Sequence, residues 1–191
     1  MNCTDDIIKE YIEKNFSEKR RVHTYGVAET AEKLARFYGV DTAKARTAAL
    51  FHDMFRGVGT EELNSYVKEL GLDDKYLDNA NLAHGKIAAA IMKRDYGIKD
   101  EDIINAVSFH TTGRAGMSDL EKVIYIADAI EPNRDYPSVE MLRKAAYDGL
   151  DEVCLLSMEK TIDFVKSKDM YLDEDTIHAR DWLRRKINEH I

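Results

Sequence analysis

Histidine and aspartate stand side by side at His52-Asp53, closing the apolar run Ala48-Ala49-Leu50-Phe51 and preceding Met54-Phe55-Arg56. An imidazole and a carboxylate at the end of a buried helix are costly to desolvate unless something pairs with them, and a divalent cation can pair with both. The dipeptide decides little by itself, because a chain with six His and many Asp will often bring the two together. Its meaning depends on the other histidines and on Asp128.

His23 follows the i, i+4 rhythm of Val27, Ala31, Leu34 and Tyr38, which puts it on the inward stripe of a helix. A satisfied core histidine and a metal ligand both fit there. Asp128 interrupts Val123-Ile124-Tyr125-Ile126-Ala127, a run apolar almost all round and therefore central. A carboxylate in such a run needs a strong partner, either a buried ion pair or a metal. His84 opens one helix and His110 closes another. Thr111-Thr112-Gly113 follows His110 as a loop that offers N–H groups and hydroxyls to a phosphate, or serves as a helix cap and turn. Cys3 and Cys154 are far apart and not in a CxxC pair, so any metal is held by nitrogen and oxygen.

The elements that must position these groups read as helices. With 44% hydrophobic and 34% charged residues, mostly helix formers, and with two prolines and ten glycines, the chain is expected to be all-α. Thr4 caps a first helix with Ile7, Ile8, Tyr11 and Ile12 inward. A second runs from Ser17 to Gly39, and a third from Asp41-Thr42 to His52, ending in the flexible Arg56-Gly57-Val58-Gly59. Thr60 to Leu70 is a short helix. The acidic link Gly71 to Asn79 is expected at the surface as a flap. Helices follow over Leu82 to Met92 and Asp100 to His110. Ser118-Asp119-Leu120-Glu121 is a capping box opening the Asp128 helix, which ends at Glu131-Pro132. Ser138 to Tyr147, Leu150 to Lys166 and Asp175 to Ile191 are amphipathic supports, with Leu155, Leu156, Ile162, Phe164, Val165, Trp182, Leu183 and Ile187 as core candidates. His178 and His190 are expected at the surface or its boundary.

At 191 residues the chain suits one domain: residues 1–16 an N-terminal helix, 17–135 the site, and 136–191 supporting helices. A net charge of -8 argues against a nucleic-acid or anionic-membrane binder, though not against a small anionic substrate met by local cations. Arg56, Arg114, Arg134 and the run Lys19-Arg20-Arg21 are the candidates for that role. The basic run also fits a solvated face. No apolar run approaches the ~20 residues of a membrane span, and the polar, acidic N-terminus is unlike a signal peptide. The expected location is the cytoplasm.

His23, His52-Asp53, His84, His110 and Asp128 recur at intervals of roughly 20 to 30 residues, about one helix each, as a bundle with ligands converging on its interior requires. With this H...HD...D pattern and two extra histidines the chain resembles the HD superfamily of metal-dependent phosphohydrolases. More closely it resembles the YqeK-like symmetrical bis(5'-nucleosyl)-tetraphosphatases. That closer likeness is carried by Arg21-Val22-His23, Ala49-Leu50-Phe51-His52-Asp53, Ala83-His84-Gly85, Phe109-His110-Thr111-Thr112-Gly113-Arg114 and Ala127-Asp128-Ala129-Ile130-Glu131-Pro132-Asn133-Arg134. It covers about Lys19 to the C-terminal helix. Met54-Phe55-Arg56 departs from the Tyr-Ala-Lys-like run common after the His-Asp pair, but keeps a cation.

The resemblance implies an HD-domain helical bundle with a metal centre in its interior. It implies cleavage of dinucleoside tetraphosphates, typically diadenosine tetraphosphate, to two nucleoside diphosphates by metal-activated hydroxide. His23, His52, Asp53 and Asp128 would hold a first metal, and His84 and His110 would complete a second site or hydrogen-bond the phosphate. Asp53, His84 and His110 would take part in the chemistry. Arg56, Thr111, Thr112, Gly113, Arg134 and Arg21 would bind nucleotide and phosphate. The cofactor would be one or two divalent ions: iron by family likeness, with manganese, zinc or cobalt compatible with the same donors. The partner would be a small dinucleoside polyphosphate, with no nucleic acid or membrane, and a homodimer is allowed. The alternatives are another HD phosphohydrolase, such as a nucleoside 5'-monophosphatase or a cyclic-nucleotide phosphodiesterase, and a non-catalytic nucleotide-binding module.

Overall fold

The computed structural model describes residues 3–189, with the side chains of residues 5–189. The side chain of the expected cap Thr4 and the whole of His190 lie outside these. The described residues are all-helical: α1 (Cys3–Asn15), α2 (Glu18–Tyr38), α3 (Thr42–Phe51), α4 (Thr60–Glu69), α5 (Ala80–Arg94), α6 (Glu101–Ser108), α7 (Asp119–Ile130), α8 (Val139–Ala145), α9 (Leu150–Ser167) and α10 (Glu174–Glu189). Among them no helix is long and apolar enough to cross a membrane.

The starts follow from local chemistry. The side chains of Ser17, Asp41, Asn79 and Asp100 each accept a hydrogen bond from a backbone N–H of the first turn, satisfying donors that a helix leaves orphaned. Ser118 and Glu121 form the full reciprocal capping box of α7. Gly39, in the left-handed conformation (φ 72°), ends α2.

α2, α3 and α7 pack together at the centre of the molecule. Ala28, Ala31 and Ala35 of α2 and Ala45, Ala48 and Ala49 of α3 are buried, and such small side chains let helix axes approach closely. α5 and α6 pack as a pair that reaches α3 and α7, α9 lies on α7, and α10 covers α9.

Three expectations change. Ile7, expected inward on α1, is 50% exposed, while Ile8 and Ile12 are buried. The link from Gly71 to Asn79 is not a loose flap: it contains a 3-10 turn, Asp74–Tyr76, with Tyr76 buried. Asn64 and Asp78 exchange hydrogen bonds, and Lys75 pairs with Asp173 at 3.1 Å. Phe164 is not core but 57% exposed. The inward stripe of α9 is Leu150, Val153, Cys154, Ser157, Met158 and Ile162; Phe164 lies two turns beyond Ser157, where that face meets a cavity instead of another helix.

Candidate metal centre

The six predicted donors meet at one place. His23 comes from the second turn of α2, His52 caps the C-terminus of α3, and Asp53 follows in the turn. His84 lies in the second turn of α5, His110 in the turn beyond α6, and Asp128 in the last turn of α7. The four imidazoles and Asp53 are buried. Asp128 is less enclosed than its apolar run implied: its side chain is 21% exposed, because it also faces a cavity described below.

Each imidazole is anchored through Nδ1. His52 Nδ1 is 2.6 Å from Ala49 O, His84 Nδ1 3.0 Å from Ala80 O, His110 Nδ1 2.7 Å from Val107 O, and His23 Nδ1 3.1 Å from Glu131 Oε1. A carbonyl only accepts, so the three histidines facing carbonyls carry their proton on Nδ1, and the Glu131 carboxylate sets His23 the same way. All four Nε2 atoms are thereby turned inward.

The inward atoms cluster around the two carboxylates. His23 Nε2 lies 3.1 Å from Asp128 Oδ1 and 3.4 Å from Asp53 Oδ2; His52 Nε2 lies 3.3 Å from Asp53 Oδ2 and 3.9 Å from Asp128 Oδ1. On the other side of Asp53, Oδ1 is 3.3 Å from His84 Nε2 and 4.0 Å from His110 Nε2, and those two nitrogens are 3.0 Å apart. Asp53 thus turns one oxygen to each half of the centre. Donors about 2.1 Å from a shared ion stand at most about 4.2 Å apart, and every separation above fits.

Buried and without an aligned hydrogen bond, Nε2 of His23 and of His52 are the kind of orphan that a folded interior does not retain without a reason. Two triads, His23 with His52 and Asp128, and His52 with Asp53 and His110, offer convergent donors. The residues therefore fit a divalent metal: imidazole and carboxylate only, inward lone pairs, and a second layer fixing their direction.

Electrostatics leave His110, Asp53 and Asp128 ready as donors, whereas His23 must give up a proton to a metal. Burial pushes the His110 imidazole down to about 3, helped by the neighbouring His84 and His52, so it is neutral. Burial alone would raise Asp53, but the imidazoles of His52, His23 and His84 outweigh it and hold the carboxylate well below its usual range. Asp128 is held low against burial in the same way, by His23, His52 and Arg134. At His23 burial is outweighed by Asp128 and Asp53, which lift it to about 9.

A family model for the HD domain matches residues 20–133, a span containing all six donors. The chain belongs to the HD-domain family. A symmetrical bis(5'-nucleosyl)-tetraphosphatase of Bacillus subtilis is 39% identical over 90% of this chain and 93% of its own. One of Halalkalibacterium halodurans is 40% identical over 87% and 89%. A crystal structure of a predicted HD superfamily hydrolase involved in NAD metabolism, from Clostridium acetobutylicum, superposes with a TM-score of 0.89 at 44% identity, covering 95% of this chain and 97% of that one.

Of the expected phosphate-binding residues, this HD domain gathers Arg134 and Thr111 at the centre. Arg134 bonds through Nε to Asp128 O at 2.8 Å and pairs through its terminal nitrogen with Asp128 Oδ1. Thr111 Oγ1 lies 3.2 Å from His110 Nε2. The others are engaged elsewhere. Arg56 donates to Asn81 Oδ1 at 2.6 Å, away from the cluster. Arg114 forms a two-pronged pair with buried Glu121 at 2.6 and 2.7 Å. The Thr112 hydroxyl donates to Gly113 O, and the Gly113 N–H donates to Phe109 O.

Arg21 turns to the carbonyls of Glu13 and Phe16. Its neighbour Arg20, in the run that reads as a solvated face, reaches inward to pair with Asp53 Oδ2. The signal was present in the spacing, because Arg20 lies three residues before His23 on one helix face and Arg21 does not.

Glu131 is the other functional residue that residue-by-residue reading missed. It is 1% exposed and receives Asn133 N and Nδ2 as well as His23. A Cβ at residue 26 would come within 2.6 Å of Glu131 Oε2, so glycine there is what lets α2 pass close to this carboxylate.

Proposed function

We infer that this HD-domain protein is a symmetrical bis(5'-nucleosyl)-tetraphosphatase. It adds water across the central anhydride of a dinucleoside tetraphosphate, diadenosine tetraphosphate in the first place, to release two nucleoside diphosphates. The observation that carries the reading is the inward convergence of four Nδ1-anchored imidazoles on two carboxylates, in a chain aligned over most of its length with enzymes so named.

His23, His52, Asp53 and Asp128 would hold one cation. His84, His110 and Oδ1 of Asp53 would hold a second; with one metal alone, His84 and His110 would face the phosphate. When bound, the metal, iron by family likeness with manganese, zinc or cobalt suited to the same donors, supplies Lewis acidity and an activated water. The protein's own groups do the rest. Burial around His52 and His110 excludes bulk solvent and strengthens each charge interaction. As an anhydride P–O bond breaks, negative charge grows on the departing diphosphate, and Arg134 and Arg20 are fixed cations at the edge of the centre to meet it. The Thr111 hydroxyl, beside His110, offers a hydrogen bond to a phosphate oxygen.

Residues 17–135 carry this centre and 1–16 and 136–191 support it, all within one domain. The same reading has the enzyme work in the cytoplasm on a small soluble substrate, as a monomer or homodimer that light scattering distinguishes. Anaerobic incubation with reduced iron or manganese and diadenosine tetraphosphate is expected to give two ADP per substrate. AMP with ATP, orthophosphate from AMP as the preferred reaction, or bound nucleotide without turnover overturns the reading.

A further inference from the structure

Beside the metal centre, between α7, α8 and α9, a cavity of about 740 Å³ opens to solvent. Its inner end is formed by His110, Asp128 and Arg134, so it is continuous with the proposed reaction centre. Its volume lies within the ~300–1,000 Å³ typical of small-molecule sites.

The walls away from the centre change character. Ser157, Lys160, Thr161 and Phe164 line it from α9, at the i, i+3, i+4, i+7 spacing that makes one helix face. Phe164 and Met141, 57% and 41% exposed, leave apolar surface bare at the mouth. Tyr136 adds an aromatic wall that is already fixed, since its hydroxyl donates to Ala129 O at 2.7 Å. The floor carries hydroxyls, where Tyr125, buried on α7, faces Ser157 and Thr161. Lys160 lines the cavity without an ion-pair partner among the described residues.

We propose that this cavity is the subsite for one nucleoside of the substrate, with the base between Tyr136, Met141 and Phe164, the hydroxyl floor meeting its polar edge, and Lys160 meeting the attached phosphate. The proposal rests on the tetraphosphatase reading for the identity of the ligand. Its grounds are continuity with the metal-binding end, aromatic and sulfur-bearing side chains exposed where a flat ring would cover them, and an unpaired cation facing an anionic ligand. Phe164 continues the face of buried Ser157 yet is 57% exposed, and a ligand in the cavity would cover it.

The test compares two ligands that share a diphosphate and differ by the nucleoside. Dissociation constants of ADP and inorganic pyrophosphate are measured by calorimetry on the manganese-loaded protein. The wild type is expected to prefer ADP. Phe164→Ala is expected to weaken ADP about tenfold, the usual loss for one base-stacking aromatic, and to shrink the ADP-over-pyrophosphate ratio by the same factor. A filling variant, Thr161→Trp, should shrink that ratio too. Phe164 is exposed, so its truncation leaves the core intact.

Equal weakening of both ligands, or ADP affinity untouched by both variants, overturns the subsite. The two readings fail separately: wild-type turnover to two ADP with no change in the ratio sinks the subsite, whereas a changed ratio without such turnover supports the subsite and sinks the reaction.

Discussion

Helix α7 carries two sets of buried charge. Near its start Lys122, 2% exposed, bonds to Asp119 at 2.8 Å and pairs with Asp151 at 2.7 Å, and Asp151 in turn pairs with Lys186 at 2.6 Å. At its end Asp128 faces His23 and His52, whose Nε2 atoms have no aligned partner. The first set is completed by ion pairs, Lys122 standing 2.7 Å from Asp151 Oδ1 although that oxygen too lacks an aligned hydrogen bond; in the second, imidazoles and carboxylates converge with no cation between them among the described residues. Burial of charge is common to both, so it does not mark a site. The mark is donors that converge while their hydrogen-bonding capacity is left open.

The sharpest way to break this comparison is Asp128→Ala. Turnover of diadenosine tetraphosphate is expected to fall about a thousandfold or more, with bound metal lost by elemental analysis. Unchanged metal content and rate would place Asp128 with the completed set. Lys122→Ala should do the converse, costing about 3 kcal/mol in urea unfolding because Asp119 and Asp151 lose a buried cation, while metal content per folded molecule stays the same.

Glu131→Gln tests the layer behind the ligands. It keeps the shape but loses the carboxylate that fixes His23, and metal affinity by chelator competition is expected to drop about 10- to 100-fold without loss of fold. The smallest effect is a pH dependence. Burial would raise Asp151, but Lys122 and Lys186 outweigh it and hold it below its ordinary 3.8. A depressed carboxylate contributes stability that is present above its unfolded pKa and lost as pH falls through the folded one. Asp151→Asn should therefore cost about 1 kcal/mol at pH 7, given its partial exposure. The gap from wild type should narrow below about pH 4 and then close, as followed by thermal unfolding across pH.

Much of the fold was legible because helix starts are written locally. Ser17, Asp41 and Ser118 announce α2, α3 and α7 within a few residues, and the histidine spacing follows from one ligand per helix. The shortfalls share a cause. Thr112 and Gly113 lie in a loop with no periodicity to say which way a hydroxyl or N–H points, so both turned out to serve the backbone instead. Arg20 and Arg21 differ by about 100° around a helix, and composition alone does not choose between them. Phe164 looks like core by residue type, but the face it shares with Ser157 and Thr161 meets a cavity. Helical phase carried information that hydrophobicity obscured.

Each carboxylate of the centre has its own arginine, Arg20 on Asp53 and Arg134 on Asp128. These two guanidiniums act as built-in counterions, offsetting the repulsion that two neighbouring carboxylates would otherwise feel while the polypeptide condenses. Biogenesis can then run in two stages: the chain matures to its compact form first and acquires its cofactor afterwards. At 30% exposure the Arg20 side chain sits at the solvent edge of the centre, where it can let go of Asp53 and stay beside it. In a cell short of the required ion, such a protein would accumulate as an intact reserve awaiting supply.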